Sequence, residues 1–349
     1  MARINYDLNN DVVNDTQKVV TSTWSDNTNE LKGTHTSSTQ ADFSTSTSKG
    51  AFFIEVYNEA ISSTSAAVQY AVAYGHKTGL GSLQFAVGDA AGNSPSKVIY
   101  NQYRQLVFGD ETKNFQFPGD ISSINAGTSF TPDDIYVINI NRARYKNNLK
   151  PGSLNLVLSG SGGKLHLTDN SITSTGSAVI TNAGREFNLV SGSNGVLLGS
   201  SNIQVTNSGS YGLFYPDSGF IILNPAAVDH QISSLVPNIS SNTAANNHQK
   251  LINAISGGNS FIVDSEEKIS SKYYFTRVKN SEFNFTTNPS FIDNNGNLRY
   301  PTMENNPKVY ITTVGLYNDT NDLVAVAKLS QPIAKDFSKE ALIRVKLDY

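Results

Sequence analysis

The sequence predicts a mainly β fold with a few helices (β+α), built as antiparallel β-sandwich-like subdomains behind an extended N-terminal arm. Three observations lead there. The 349-residue chain is 38% hydrophobic and 16% charged, and Asn, Ser, Thr and Gly fill the difference, a composition of turns and loops. Between residues 133 and 225 short apolar runs recur at brief intervals, separated by Ser, Gly and Asn, as in a sandwich or barrel. The length also exceeds what one compact core usually needs, so several subdomains are expected.

Residues 1–50 form the expected arm. The stretch THTSSTQADFSTSTSKG has few large apolar side chains, and Trp24 is the only tryptophan. Such a segment cannot offset its own ordering entropy. The expectation is that a neighbouring subunit holds it, with Trp24 as a contact residue.

Residues 51–130 read as a mixed α/β segment. FFIEVYNEA and SAAVQYAVAYGHKTG fit helix or strand equally well. NSPSKVIYNQYRQLVFGD is helical: Ser94 is placed to cap, Pro95 to open the first turn, and Gly109 to end it. Ile99, Tyr103 and Leu106 share its predicted apolar face.

A central β-domain is predicted over 131–240. Its strands are DDIYVINI, LNLVLSG, KLHLTD, AVITNAG, REFNLVSG and GVLLGS. Two more, YGLFY and FIILNP, are joined by the turn Pro216-Asp217-Ser218-Gly219. A helical linker follows over 241–260. Ala244, His248, Leu251, Ile252 and Ile255 share one face, and Gly257-Gly258 stops it. No fixed-period repeat points to a solenoid or propeller.

The C-terminal β-domain, 261–349, contains the most distinctive element. VYITTVGLYNDTNDLVAVAKLS (309–330) reads as a hairpin with NDTND as its turn and apolar residues on both faces. Strict alternation puts Val309, Ile311 and Tyr317 on one face, against Tyr310, Val314 and Leu316. In the second arm it sets Leu323, Ala325 and Leu329 against Val324 and Val326. Strands of this kind need cover on both sides. Val324 and Val326 are therefore expected to meet another part of the chain or another subunit. Pro332 is expected to break the chain after the hairpin. The closing ALIRVKLDY alternates Ala341, Ile343, Val345, Leu347 and Tyr349 with polar partners, a strand with one solvated face.

No chemistry-bearing constellation stands out. There is no cysteine, which excludes disulfides, thiolate catalysis and Cys-ligated metals. His35, His76, His166, His230 and His248 are too widely spaced for a helical metal pair, and His166 reads as a solvated strand residue. Asp133-Asp134 and Glu266-Glu267 are neighbours in sequence, so on a strand their side chains diverge and form no shared-proton dyad. SGSGGKLHL lacks the spacing of a phosphate loop, and no G-x-S-x-G elbow occurs. Arg142, Arg144 and Lys146 alternate in NINRARYK and are expected to form a basic row on one strand face, with Tyr145 opposite. That row fits a subunit contact or a guarded edge strand. The net charge of −3 argues against a nucleic-acid groove. No apolar run approaches the roughly 20 residues that span a bilayer. The start MARINYDLNNDVV has no apolar core of a signal peptide. No catalytic residue, metal or cofactor is expected, and the chain reads as a soluble protein made in a cytoplasm.

An ordered set of motifs carries a family likeness. It comprises SPSKVIYNQYRQLVFGD, DDIYVINI-NRARYKNNLKPGSLNLVLSG (133–160), YGLFYPDSGFIILNPAAV (211–228), FNFTTNPSF (283–291), VYITTVGLYNDTNDLVAVAKLSQPIAKDF (309–337) and the closing IRVKLDY. Across roughly residues 50–349 the chain resembles virion structural proteins, of the tail or baseplate, from large contractile-tailed bacteriophages of the myovirus-type cyanophage group. The resemblance implies a non-enzymatic structural subunit of the tail, assembled in the host cytoplasm. Its partners would be other virion tail or baseplate proteins and copies of itself. The alternatives are a tail-tip or fibre-associated glycan-binding module and, more weakly supported, a neck or collar protein or a tail-embedded hydrolase. Trp24, Arg142, Arg144, Tyr145, Val324 and Val326 are the expected interface residues.

Overall fold

The computed structural model describes residues 4–25, 27–28, 30–31, 35–36, 43–44, 49–50, 53–84, 93–118, 129–172, 178–197, 209–240, 246–285 and 288–349. The protein is mainly β with a few helices, as the sequence predicts. It divides into two compact units, Val19–Glu267 and Met1–Lys18 together with Lys268–Tyr349. The chain thus changes unit at 18/19 and 267/268 rather than at the composition shifts near 50, 130, 240 and 260.

In the larger unit the strands are β1 (Phe53–Tyr57), β2 (Val68–His76), β3 (Asp134–Ile140), β4 (Asn155–Gly160), β5 (Gly163–Asp169), β6 (Gly184–Ser193), β7 (Gly212–Tyr215) and β8 (Phe220–Leu223). Three helices accompany them: α1 (Pro95–Phe108), α2 (Pro225–Ile232) and α3 (Asn247–Gly258). The sheet runs β4-β5-β6-β7-β8-β3-β2-β1. Phe261–Ile262 and Glu30–Leu31 extend it beyond β4, and His35–Thr36 beyond β1. The two segments left ambiguous by sequence periodicity are β1 and β2.

Alternation in β2 sorts its side chains by size. Tyr70, Val72 and Tyr74 point to one face, and Ala71, Ala73 and Gly75 to the other. The register with β3 places Val72 opposite Ile138, Tyr74 opposite Tyr136 and Ala73 opposite Val137. The first face builds a core with α2 and α3, and the second is covered in part by α1. The sheet curls until its two ends meet. Phe261 lies 5.4 Å from the Tyr70 ring, and Trp24 fits the seam at 5.0 Å from Phe261 and 6.3 Å from Tyr70. The Trp24 indole N–H donates to the Phe261 carbonyl at 2.9 Å. Trp24 is 2% exposed. It is a core residue of its own chain and not the surface contact residue the sequence suggested.

Helix α1 starts and ends where expected, at Pro95 and before the left-handed Gly109 (φ 63°). Ser94 occupies the N-cap position without capping. Its hydroxyl donates to the Gly79 carbonyl at 2.6 Å instead. The buried stripe is Ile99, Tyr100, Tyr103 and Val107, which leaves Leu106 exposed at its edge. Gly75 lets this helix approach β2, since a Cβ there would lie 2.9 Å from the Tyr100 backbone nitrogen.

The helix expected as a linker, α3, belongs to the core through Leu251, Ile252, Ala254 and Ile255. Ala244 lies outside the described residues. Gly258 does not stop the helix by leaving it. It is the last helical residue and abuts β4 so closely that a Cβ would overlap the Val157 carbonyl, and Asn259 (φ 55°) ends the helix.

The smaller unit contains β9 (Asp264–Val278, entering from the larger unit), β10 (Val309–Tyr317), β11 (Leu323–Lys335) and β12 (Ala341–Asp348). Ser271–Val278 pairs antiparallel with Asp348–Ala341. The alternation of β12 is as predicted, with Ala341, Ile343 and Val345 buried. β10 and β11 form the expected hairpin. The turn is held by the Asn318 side chain, which accepts the Asp322 N–H at 2.7 Å. Pro332 does not break the chain. β11 continues through it, because Thr313 pairs with Lys328 while Ile311 pairs with Ile333, and the residues between bulge out. That irregularity brings Ile311, Val314 and Leu316 to the same core face, together with Ala325, Ala327 and Leu329.

Candidate interaction face and binding cleft

The face of the β10–β11 hairpin turned away from this core is open and carries exposed apolar side chains beside the Thr313–Lys328 pair. Val324 is 66% and Val326 58% exposed, and Tyr310, Tyr317 and Leu323 are exposed as well. Val326 sits opposite Gly315, so no cross-strand side chain shields it. Val324 falls at the second register shift, between Leu316 and Tyr317, and alternates with core-facing Ala325, so it shares the outer face with Val326. The sequence reading expected these two valines to meet another part of the chain or another subunit; within this chain both are exposed, and the other hairpin face is covered by the unit's own core.

The basic row is not there. Arg142–Arg144 form a single 3-10 turn, whose N-terminus is capped by the Asn141 side chain accepting the Ala143 N–H at 2.9 Å. A turn scatters side chains that a strand would align, so Arg142, Arg144 and Lys146 share no face. Tyr145 is buried. Arg142 folds back on it: its guanidinium lies 4.6 Å from the Tyr145 ring centroid, and Nη1 donates to the Tyr145 carbonyl at 2.5 Å. The Tyr145 ring covers Gly219 (φ 73°), where a Cβ would lie 2.4 Å from the Tyr145 hydroxyl. The turn Pro216–Gly219, the 3-10 turn and Tyr145 thus form one wall.

That wall flanks a cleft of about 540 Å³, within the range of small-molecule sites. Its floor is the small-residue face of β2, Ala71 and Ala73. On one side of them stand Glu55 and Phe53 of β1, and on the other Asn139 and Val137 of β3. Val68 joins this face because Gln69 is bulged out where Tyr57 pairs with Val68. The opposite wall is α1, through Ile99, Gln102 and Tyr103. Asn141 and Ser218 complete the polar rim.

Hydrogen bonds orient the rim. Tyr57 donates its hydroxyl to Glu55 Oε2 at 2.9 Å. The Tyr103 hydroxyl is pushed up to about 12 by burial, and its hydrogen bond with Asn139 opposes that shift. Burial likewise raises Tyr145, with Arg142 pulling the other way. Both phenols stay protonated at neutral pH and remain donors. Glu55 is the carboxylate among the described lining residues.

The sequence identified Arg142 and Tyr145 but not the cleft. The signal that could have found it is the large/small alternation of VQYAVAYG: an uncovered strand face carrying two alanines and a glycine leaves space. Among the described residues no group of three or more His, Asp or Glu is placed to hold a metal ion, and no helix is long and apolar enough to cross a membrane. Comparison with protein-family models, curated proteins and solved structures finds no match.

Proposed function

We propose that this chain is a structural subunit of a contractile bacteriophage tail, a baseplate component that acts through protein–protein contacts. The hairpin face at Val324 and Val326 would be one of its docking surfaces. The observation that carries this reading is that face. β-branched and aromatic side chains line a strand pair whose outer surface its own unit leaves open, and such patches mark interaction sites. The motif likeness to tail virion proteins supports the same assignment, as does a composition rich in Tyr and Asn, suited to wide, wet interfaces. Its partners are other tail proteins, and its location is the virion tail.

The test is a Val324→Asp/Val326→Asp double variant in the full chain. Both positions are exposed, so circular dichroism and the melting temperature should stay close to the parent's. Assembly into tails should fail, read as loss of co-sedimentation with the other tail proteins and of infectious particles. Normal particles built from the variant would refute the docking face. Absence of the parent chain from purified particles would refute the virion assignment.

A further inference from the structure

We propose that the cleft between α1 and the Arg142–Arg144 turn is a binding site for a neutral saccharide. The inference is independent of the assembly reading and concerns the larger unit alone. Geometry sets the size: Glu55 and Asn139 stand on strands flanking β2, two strand spacings or about 10 Å apart, with only Ala71 between them. That gap admits a pyranose ring, and the cleft volume of about 540 Å³ leaves room for one or two sugar units.

The chemistry of the lining selects the class. The floor and back, Phe53, Ala71, Ala73, Ile99 and Val137, offer an apolar bed for the C–H face of a sugar. The rim, Gln102, Asn139, Asn141 and Ser218, consists of amides and a hydroxyl that both donate and accept. A polyol, whose every group also does both, matches such a rim. The Asn141 oxygen and the Ser218 hydroxyl already serve the Ala143 N–H and the Ala183 carbonyl, so the Gln102 amide and the Asn141 amide N–H groups are what the rim offers a polyol. The lining carries one carboxylate, Glu55, and one guanidinium, Arg142, which is held on the Tyr145 carbonyl and ring, so its formal charges cancel and a neutral ligand is favoured over an anion or a cation.

The experiment is saturation-transfer NMR on the full chain, with titration. Glucose, galactose, mannose and N-acetylglucosamine serve as probes at millimolar concentration. At least one should bind. Ala71→Leu, which fills the floor with a side chain directed into open space, should weaken it tenfold or more. Asn139→Ala should weaken it with the fold unchanged by near-UV circular dichroism. The Val324→Asp/Val326→Asp variant should bind like the parent, which separates this site from the assembly face. Failure of all four sugars to bind overturns the proposal, and so does binding that both cleft variants leave intact.

Discussion

Asp134 illustrates how one position in this sheet sets a pH dependence. It lies on β3 opposite His76, on the face that carries Tyr74 and Tyr136. Burial raises its carboxyl to about 6, a backbone hydrogen bond at Asp134 opposes that shift, and the Asp133 charge adds to it. In the unfolded chain the same group ionises near 3.8. Between those values the folded protein binds more protons than the unfolded one, so this group's contribution to stability falls as pH rises through the window. Buried His248 acts in the opposite sense: burial lowers it to about 4, so protonation in acid favours unfolding. The two are separated by Asp134→Asn, which keeps the side chain's shape and removes the charge. The variant should be more stable than the parent at pH 7 by about 3 kcal/mol, a figure following from roughly two pKa units. The gain should vanish near pH 4. Urea melts across pH 4–7 measure it, and a pH-independent difference would exclude this account.

At the scale of elements the hairpin separates covered from uncovered side chains more sharply than alternation could. Leu316 is 7% exposed and packs with Ile343 and Val345, while Val326 on the neighbouring strand faces outward. Leu316→Ala should destabilise the smaller unit by about 2–4 kcal/mol, whereas Val326→Ser should stay within about 0.5 kcal/mol. Denaturant melts that show equal losses would mean the outer face is buried too. The elements themselves were largely legible in the sequence. Helix α1 followed from Pro95 and Gly109, β12 from strict alternation, and the hairpin from its turn. What was not legible depends on partners distant in the chain. Bulges at Gln69 and before Ile333 shift the phase of a strand, bringing Val68 onto the face of Ala71 and Ala73, and Ile311 onto the face of Val314 and Leu316. The alternation of R-A-R-Y-K after β3 predicts a strand, but the Asn141 side chain caps a turn there. The cleft was invisible as a motif because it is made by what α1 leaves uncovered.

For the whole molecule, the unequal cores of the two units decide how stability is distributed. The larger unit has an extensive core on each sheet face, including fully buried Tyr70, Tyr136, Phe214, Phe220 and Phe261. The smaller unit centres on Leu316, Ile343 and Val345, with eight partly buried hydrophobic residues around them, and is assembled from both ends of the chain. Apolar burial is the dominant favourable term in folding, and closing a unit from distant segments carries a loop-closure penalty. Trp24 reinforces the imbalance by closing the seam of the larger unit, so a residue that composition assigned to a loose arm contributes to the stronger core. Local opening should therefore begin in the smaller unit. Native-state amide hydrogen exchange read by mass spectrometry should show 309–317 and 341–348 exchanging well before 134–140 and 220–223. As denaturant is added, the first group should lose protection in an earlier transition. Exchange of all four segments through a single opening would mean that the two units unfold together. If the hairpin face docks as proposed, binding a tail partner should slow exchange in 309–317 selectively, because ligation of the native state raises the free energy of opening.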